Sequence, residues 1–195
     1  MSVPTKAKWD SHYLANLGAT PEPSLVLAEH AHLLPSSGVA LDLACGLGGN
    51  ALFLARRGLT VTAWDISPVA IEKLEARAQG EGLRITTEVV DVETVPLKSN
   101  TYDIVTVSRF LNRSLSHSIV SSLRAGGLLF YQTFTANKMT PSGPSNSAYL
   151  LAENELLQLF ASLHVRFFRE DAHCGDLSIG RRDEAYFIGQ RSWSD

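Results

Sequence analysis

The ten residues from Leu41 to Asn50, LDLACGLGGN, run an apolar stretch straight into a cluster of glycines and then into a helical pattern. Few folds accommodate that order. The apolar run reads as a buried strand. Gly46 and Gly48 lack the Cβ that would stop the chain from turning sharply or lying close to a ligand. A helix starting near Gly48 would present backbone N–H groups without intrahelical partners, a place for a carboxylate or phosphate. Strand, glycine turn and helix in succession open a βαβ unit, and the rest of the chain repeats the alternation.

Strands are predicted at Val39–Cys45, Leu59–Ile66, Arg84–Val92, Tyr102–Ser108 and Leu128–Phe134, with a hairpin-like pair at His164–Arg169 and Ala185–Gln190. Helices are predicted at Gly48–Arg57, Pro68–Ala78, Ser116–Arg124 and Glu153–Leu163. Glu22–Leu34 forms another, with a shorter segment at Lys8–Leu14 before it. Ser67-Pro68 has the pattern of an N-cap followed by proline at the first helical position. Thr135–Ser147, with Pro141, Gly143, Pro144 and Asn146, reads as a long loop, and loops of that length usually serve function. The sum is an α/β, Rossmann-like doubly wound sheet of about seven strands in a single domain, residues 1–195. In such sheets ligands collect at the carboxyl ends of strands, near the topological switch point.

Two ligands compete for the glycine turn. Gly46-x-Gly48-x-x-Ala51 satisfies the dinucleotide pattern, with Asp65 19 residues after Gly46, near the spacing of a ribose-binding acid. Asp42, inside the preceding strand, would instead repel a pyrophosphate and suit a ligand bearing an ammonium group. Asp65 closes the second strand, where a carboxylate can accept from both hydroxyls of a ribose; the plainer alternative is a cap on the helix after Ser67.

With these residues in view, LDLACGLGGNA resembles the first motif of class I S-adenosylmethionine-dependent methyltransferases, an acid followed by GxGxG, with Ala44 where many members carry the first glycine. The resemblance covers essentially the whole chain. It implies S-adenosylmethionine as cofactor and a mostly parallel seven-stranded sheet whose last strand is antiparallel, in three αβα layers. Compact length and the layout of the fourth and fifth strands are similar to the tellurite-resistance and thiopurine methyltransferase branch. The cofactor residues so implied are Asp42, Ala44, Gly46, Gly48, Asn50, Asp65, Ile66, Asp91, Val92 and Ser108. Asp91 would accept from the adenine amino group, while Ile66 and Val92 would wall the ring. Otherwise Asp91 is a turn aspartate. Residues 1–35 would form a helical lid over a core of residues 36–195, with Trp9 and Tyr13 sharing one helical face; simple docking of a terminal helix explains the two aromatics equally well. Arg109 and Tyr131 are candidates for positioning the acceptor, and Arg109 beside Asn112 and Arg113 could hold a carboxylate or oxyanion. Phe110, Arg113, His173 and Arg181, with Arg182, are further acceptor-binding candidates. The competing reading pairs these arginines with nearby acids. Cys45 is expected to pack rather than react. NPPY- or DPPY-type sequences are absent after the fourth strand, which argues against transfer to an exocyclic base nitrogen.

Hydrophobic residues make up 45% of the 195-residue chain and charged residues 19%, a globular balance, and the formal charge of −3 offers no broad cationic face for nucleic acid. Cys45 and Cys174 have neither disulfide nor zinc spacing. No metal site is expected, and the remaining histidines read as surface or structural. The polar start MSVPTKAKWDSHYL lacks a signal-peptide run and no stretch is long enough to span a bilayer, so a soluble, cytoplasmic protein, monomer or homodimer, is expected. The expected partner is a small-molecule methyl acceptor, with neither nucleic acid nor membrane expected. Two other classes stay open: an NAD(P)-dependent oxidoreductase and a non-catalytic nucleoside-binding regulatory protein.

Overall fold

Strand β1 (Val39–Leu43) sits inside the sheet because both of its faces are apolar: Ala40 packs into one layer, Leu41 and Leu43 into the other. The computed structural model describes residues 3–15 and 20–193. Helices α1 (Val3–Ala15) and α2 (Leu25–Glu29) precede β1. After it come α3 (Gly49–Ala55), β2 (Thr60–Asp65), α4 (Pro68–Gly80), β3 (Ile85–Val89), β4 (Tyr102–Ser108), α5 (Ser116–Ser122), β5 (Leu123–Phe134), α6 (Glu155–Leu159), β6 (His164–Arg169) and β7 (Glu184–Gln190). The seven strands lie in the order β3-β2-β1-β4-β5-β7-β6, and only β7 runs against its neighbours. This is the expected doubly wound sheet with an antiparallel last strand. The strand order reverses between β1 and β4, so a crevice opens above their carboxyl ends.

Alternation sorts the layers. Ala40, Ile104, Phe130 and Ile188 face α2, α3 and α4, whereas Leu41, Val105, Tyr131 and Phe187 face α5 and α6. Near the carboxyl ends the first face turns polar: Asp42, Thr106, Gln132 and Glu184 continue its even-numbered rows and are all buried. Burying that set requires partners for each member, and these define the site described below.

Several boundaries differ from expectation. The Glu22–Leu34 helix reduces to α2 and a 3-10 turn at Ala31–Leu33, because Pro23 delays the start and His30 leaves helical geometry at φ −115°. β5 begins at Leu123 rather than Leu128, since Leu123 pairs with Tyr102 and an irregularity at Tyr102/Ile104 absorbs the extra residues. β3 stops at Val89, three residues early, as the chain turns through an Asp91 carbonyl that accepts from the Thr94 N–H at 2.9 Å. α6 keeps only Glu155–Leu159 of the helix expected over Glu153–Leu163. Ser67 does cap α4, accepting from the Ala70 N–H at 3.3 Å, with Pro68 next. No helix among the described residues is long and apolar enough to cross a membrane.

Candidate active site

The turn after β1 carries three left-handed residues, with φ 55° at Ala44, 53° at Gly46 and 80° at Gly48. Glycine adopts this region freely, whereas Ala44 bears a cost of about 1 kcal/mol. A Cβ on Gly48 would lie 2.3 Å from Leu74 Cδ1, and one on Gly49 2.1 Å from the Glu22 carbonyl oxygen, so the crossing of neighbouring segments requires bare backbone. Asp42, 1% exposed, holds the turn from beneath. One of its oxygens accepts from Thr106 Oγ1 at 2.9 Å and Asn50 Nδ2 at 3.3 Å; the other accepts from the Ala51 N–H at 3.0 Å. Asn50 Oδ1 in turn accepts from the Ser24 N–H at 2.8 Å. Part of the N–H set expected to be open at the helix start is therefore engaged by Asp42 itself. Burial pushes Asp42 up to about 6 against the pull of those three donors.

Above this turn lies an open cleft of about 400 Å³. Ala44 from the end of β1, Asp65 and Ile66 from β2, Val90 and Val92 after β3, and Arg109 and Phe110 after β4 line it, and Trp9 and Tyr13 of α1 complete it. Asp65 ties two turns together: one oxygen accepts from the Gly46 N–H at 2.8 Å, the other from the Ser67 N–H at 2.9 Å. A carboxylate has about four acceptor sites, so each oxygen keeps capacity for a ligand. Burial raises its pKa, opposed by the N–H donors of Ser67, Gly46 and Ile66. The capping role weighed for Asp65 belongs to Ser67. Tyr13 roofs the turn, with its hydroxyl 2.9 Å from where a Gly46 Cβ would sit. Lys73 donates to the Tyr13 carbonyl and Ser67 Oγ to Asp10, which fastens α1 to α4. Burial, with Asp65 nearby, pushes the Tyr13 hydroxyl above the ordinary phenol range.

On the other side stands Arg109, also left-handed at φ 53°. Its N–H donates to the Gln132 carbonyl at 2.8 Å, and its Nε to Glu184 Oε1 at 2.8 Å. The second Glu184 oxygen accepts from Gln132 Nε2, and Gln132 Oε1 accepts from the Val26 N–H at 3.0 Å.

Other candidates lie elsewhere. Tyr131 is a core residue, packed on Phe160, and its buried hydroxyl donates to the Phe110 carbonyl at 2.9 Å, so it braces the cleft wall and does not reach an acceptor. Arg113 is spent on α6: Nε and Nη2 grip Glu155, and Nη1 and Nη2 also donate to the Ala148 and Leu150 carbonyls. This is the acid-pairing alternative. Arg181 pairs with Glu29 of α2 at 2.8 Å, His173 is exposed on the β6–β7 connection, and Arg182 donates within that connection to carbonyls including that of Cys174. Asp91, half-buried, accepts from the Glu93 N–H at 3.1 Å in a turn beside the cleft. Ser108 is half-buried at the end of β4 but does not line the cleft. Val90, Thr106, Gln132 and Glu184 were not anticipated. Alternation with Val92 could have found Val90, whereas Glu184 carries no local signal, since strand pairing alone brings it to Arg109.

Topology, glycine turn and cleft at the switch point define a class I S-adenosylmethionine-dependent methyltransferase domain. Residues 40–127 match the family model described as Methyltransferase domain. Over 140 residues the chain is 33% identical to "Probable S-adenosyl-L-methionine-dependent methyltransferase TehB" of Haemophilus influenzae, covering 67% of this chain and 48% of that protein. It is 32% identical over 104 residues to the ubiquinone biosynthesis O-methyltransferase of Salmonella newport, covering 50% of this chain and 43% of that one. The chain thus spans about half the length of the curated relatives it matches. The crystal structure of TehB from Haemophilus influenzae superposes with TM-score 0.72 at 22% identity, over 94% of this chain and 67% of that one, and so shares the fold. The chain belongs to the class I S-adenosylmethionine-dependent methyltransferase family, and within it is similar to TehB.

The cofactor of this class is S-adenosylmethionine, and the cleft fits it. Asp65 offers a charged acceptor at a strand edge, while Ile66, Val90 and Val92 form an apolar slot wide of the glycine turn. At Gly46 bare backbone is required because the Tyr13 hydroxyl stands 2.9 Å from where a Cβ would sit.

Proposed function

We propose that this chain transfers a methyl group from S-adenosylmethionine to a small-molecule acceptor, a thiol or a chalcogen oxyanion. The observation that carries the reading is the convergence of Asp65, Ile66, Val92 and the Ala44–Gly46 turn on one cleft at the switch point. Asp65 would accept from the ribose hydroxyls, Ile66 and Val92 would flank the adenine with Asp91 at its rim, and Ala44 and Gly46 would present backbone to the amino-acid portion. Asp42, Gly48 and Asn50 act from beneath, by holding the turn in shape, and Ser108 supports the β4 edge. Trp9 and Tyr13 form a cover over the ligand, residues 1–35 serving as lid to the 36–195 core.

When bound, the cofactor would supply a sulfonium methyl that needs no further activation, for transfer to an acceptor lone pair with the bonding electrons retained by sulfur. The chain's contribution is to align the acceptor and keep water away. Arg109 and Phe110 border the acceptor side. A small cleft and the net charge of −3 favour a small acceptor over nucleic acid. The protein works in the cytoplasm as a monomer or homodimer in this reading.

Calorimetry should show binding of S-adenosylhomocysteine and none of NAD. Asp65→Ala should weaken that binding by about 1–3 kcal/mol, the scale of a hydrogen bond to a charged group. Unchanged affinity would remove Asp65 from the ribose. A tritiated-methyl screen against thiols, chalcogen oxyanions, amines, carboxylates and RNA then assigns the acceptor; transfer to RNA alone would overturn the small-molecule reading.

A further inference from the structure

We propose that Glu184, acting through Arg109, makes the acceptor side of the cleft selective for molecules that carry a negative charge beside the reacting atom; this rests on the methyltransferase reading above. Arg109 adopts a left-handed backbone that glycine would occupy without strain, yet the position holds a long cationic side chain. Such strain persists where the surroundings over-determine it, and it clusters at functional sites. Here the surroundings are the Gln132 carbonyl, which accepts from the Arg109 N–H, and Glu184.

Glu184 is itself an expensive residue to place. Its side chain is 9% exposed, against 65% for that of Arg109. A buried carboxylate needs its oxygens satisfied, and both are: Arg109 Nε on one, Gln132 Nε2 on the other, with Tyr186 Oη at 3.5 Å from the latter. A plain surface pair would need none of this. Glu184 takes only the Nε edge of the guanidinium. Among the described residues neither Nη nitrogen of Arg109 has a hydrogen-bond partner; the guanidinium carbon stands 5.7 Å from the centre of the Phe134 ring, and Arg109 lines the cleft with Ala44 and Phe110. The Nη pair is a flat, doubly donating edge, suited to a carboxylate or another oxyanion. Glu184 is thus a positioning residue: it fixes the direction of that edge from the buried side.

The test compares two thiols with one nucleophile and different charge, mercaptoacetate and its methyl ester, in methyl transfer from S-adenosylmethionine. The expected result is that Glu184→Gln lowers kcat/KM for mercaptoacetate about tenfold more than for the ester, through KM rather than kcat, and that Glu184→Asp restores part of the difference. Arg109→Gln, a change at an exposed side chain, should abolish the discrimination and covers the case in which Glu184→Gln fails to fold. Equal losses for both thiols, or a loss confined to kcat, would overturn the proposal while leaving methyl transfer standing. Where neither thiol is methylated, thermal unfolding of the chain saturated with S-adenosylhomocysteine decides: stabilisation by mercaptoacetate that Arg109→Gln removes supports the anion site, and no stabilisation overturns it. Failure of S-adenosylhomocysteine to bind at all would instead sink the underlying reading, and the anion site with it.

Discussion

Replacing Asp42 with Asn should change the pH dependence of stability more than its size at any one pH. The wild-type carboxyl is pushed up to about 6 by burial, from an ordinary 3.8. Its folded-state pKa therefore lies above its unfolded one. Between those values the folded chain holds a proton that the unfolded chain has released, so stability falls as pH rises. At about 1.4 kcal/mol per pH unit, the span from about 4 to about 6 is worth about 3 kcal/mol. In Asp42→Asn the amide oxygen can keep the Ala51 N–H, and Thr106 Oγ1 can turn toward the Leu41 carbonyl, 3.4 Å away. The Asn50 contact is lost, at about 1 kcal/mol. Urea unfolding of both chains at pH 4 to 7 measures the effect as a difference. That difference cancels groups common to both, such as Asp171, which Arg169 pulls down to about 2 and which therefore loses stability as pH falls. The wild type should lead by the greater margin at pH 4, with the lead shrinking by about 3 kcal/mol, or reversing, by pH 7. A flat difference across that range would refute the reasoning, because it would mean that the three donors hold Asp42 at an ordinary pKa.

Other outcomes follow from the same geometry. Gly48→Ala adds left-handed strain at φ 80° to a Cβ 2.3 Å from buried Leu74, and should destabilise by about 2–5 kcal/mol in urea unfolding; a change under 1 kcal/mol would mean the turn relaxes freely. Ala44→Gly relieves about 1 kcal/mol of strain but adds a similar entropy cost in the unfolded chain, so stability should stay within about 0.5 kcal/mol. Because Trp9 lines the cleft, S-adenosylhomocysteine should alter tryptophan emission, and Trp9→Phe should remove most of that response. A response undiminished in the variant would place α1 away from the ligand.

How much was legible beforehand depends on how local each signal is. Gly46, Gly48, Asp65 and the Ser67-Pro68 cap announce themselves because a turn or cap is determined by a few consecutive residues. The apolar run of Ile104, Val105 and Val107 likewise betrays a strand buried on both faces. Helix ends were less legible: α2 and α6 are short because tertiary packing, rather than propensity, sets their length. Arg113 and Arg109 lie four residues apart in one basic stretch, and nothing local separates the residue that clamps Glu155 from the one that faces the cleft. Tyr131 was misplaced by strand parity, since odd-numbered β5 residues face α6 and even-numbered ones face α2. Gln132, its neighbour, is the one on the cleft-supporting face. Glu184 lies 75 residues from Arg109 and meets it only because β7 inserts antiparallel beside β5.

That insertion gives the cleft its electrical division. On the β1–β2 side, Asp42 and Asp65 are both buried, and their charges add to burial, the larger cause, in pushing the Tyr13 hydroxyl and the Cys45 thiol up. A cationic ligand seated there gains attraction from both carboxylates in a medium that screens them poorly. On the β4–β7 side, Arg109 is the one arginine lining the cleft among the described residues, and Glu184 holds its Nε. A sulfonium bound at the acidic end and an anionic acceptor drawn to the basic end would meet between Ala44 and Phe110. Raising ionic strength should then weaken an anionic acceptor's KM more than a neutral acceptor's, since only the former crosses the exposed, screened half of the cleft. Equal salt dependence for mercaptoacetate and its ester would leave the division without consequence for the acceptor.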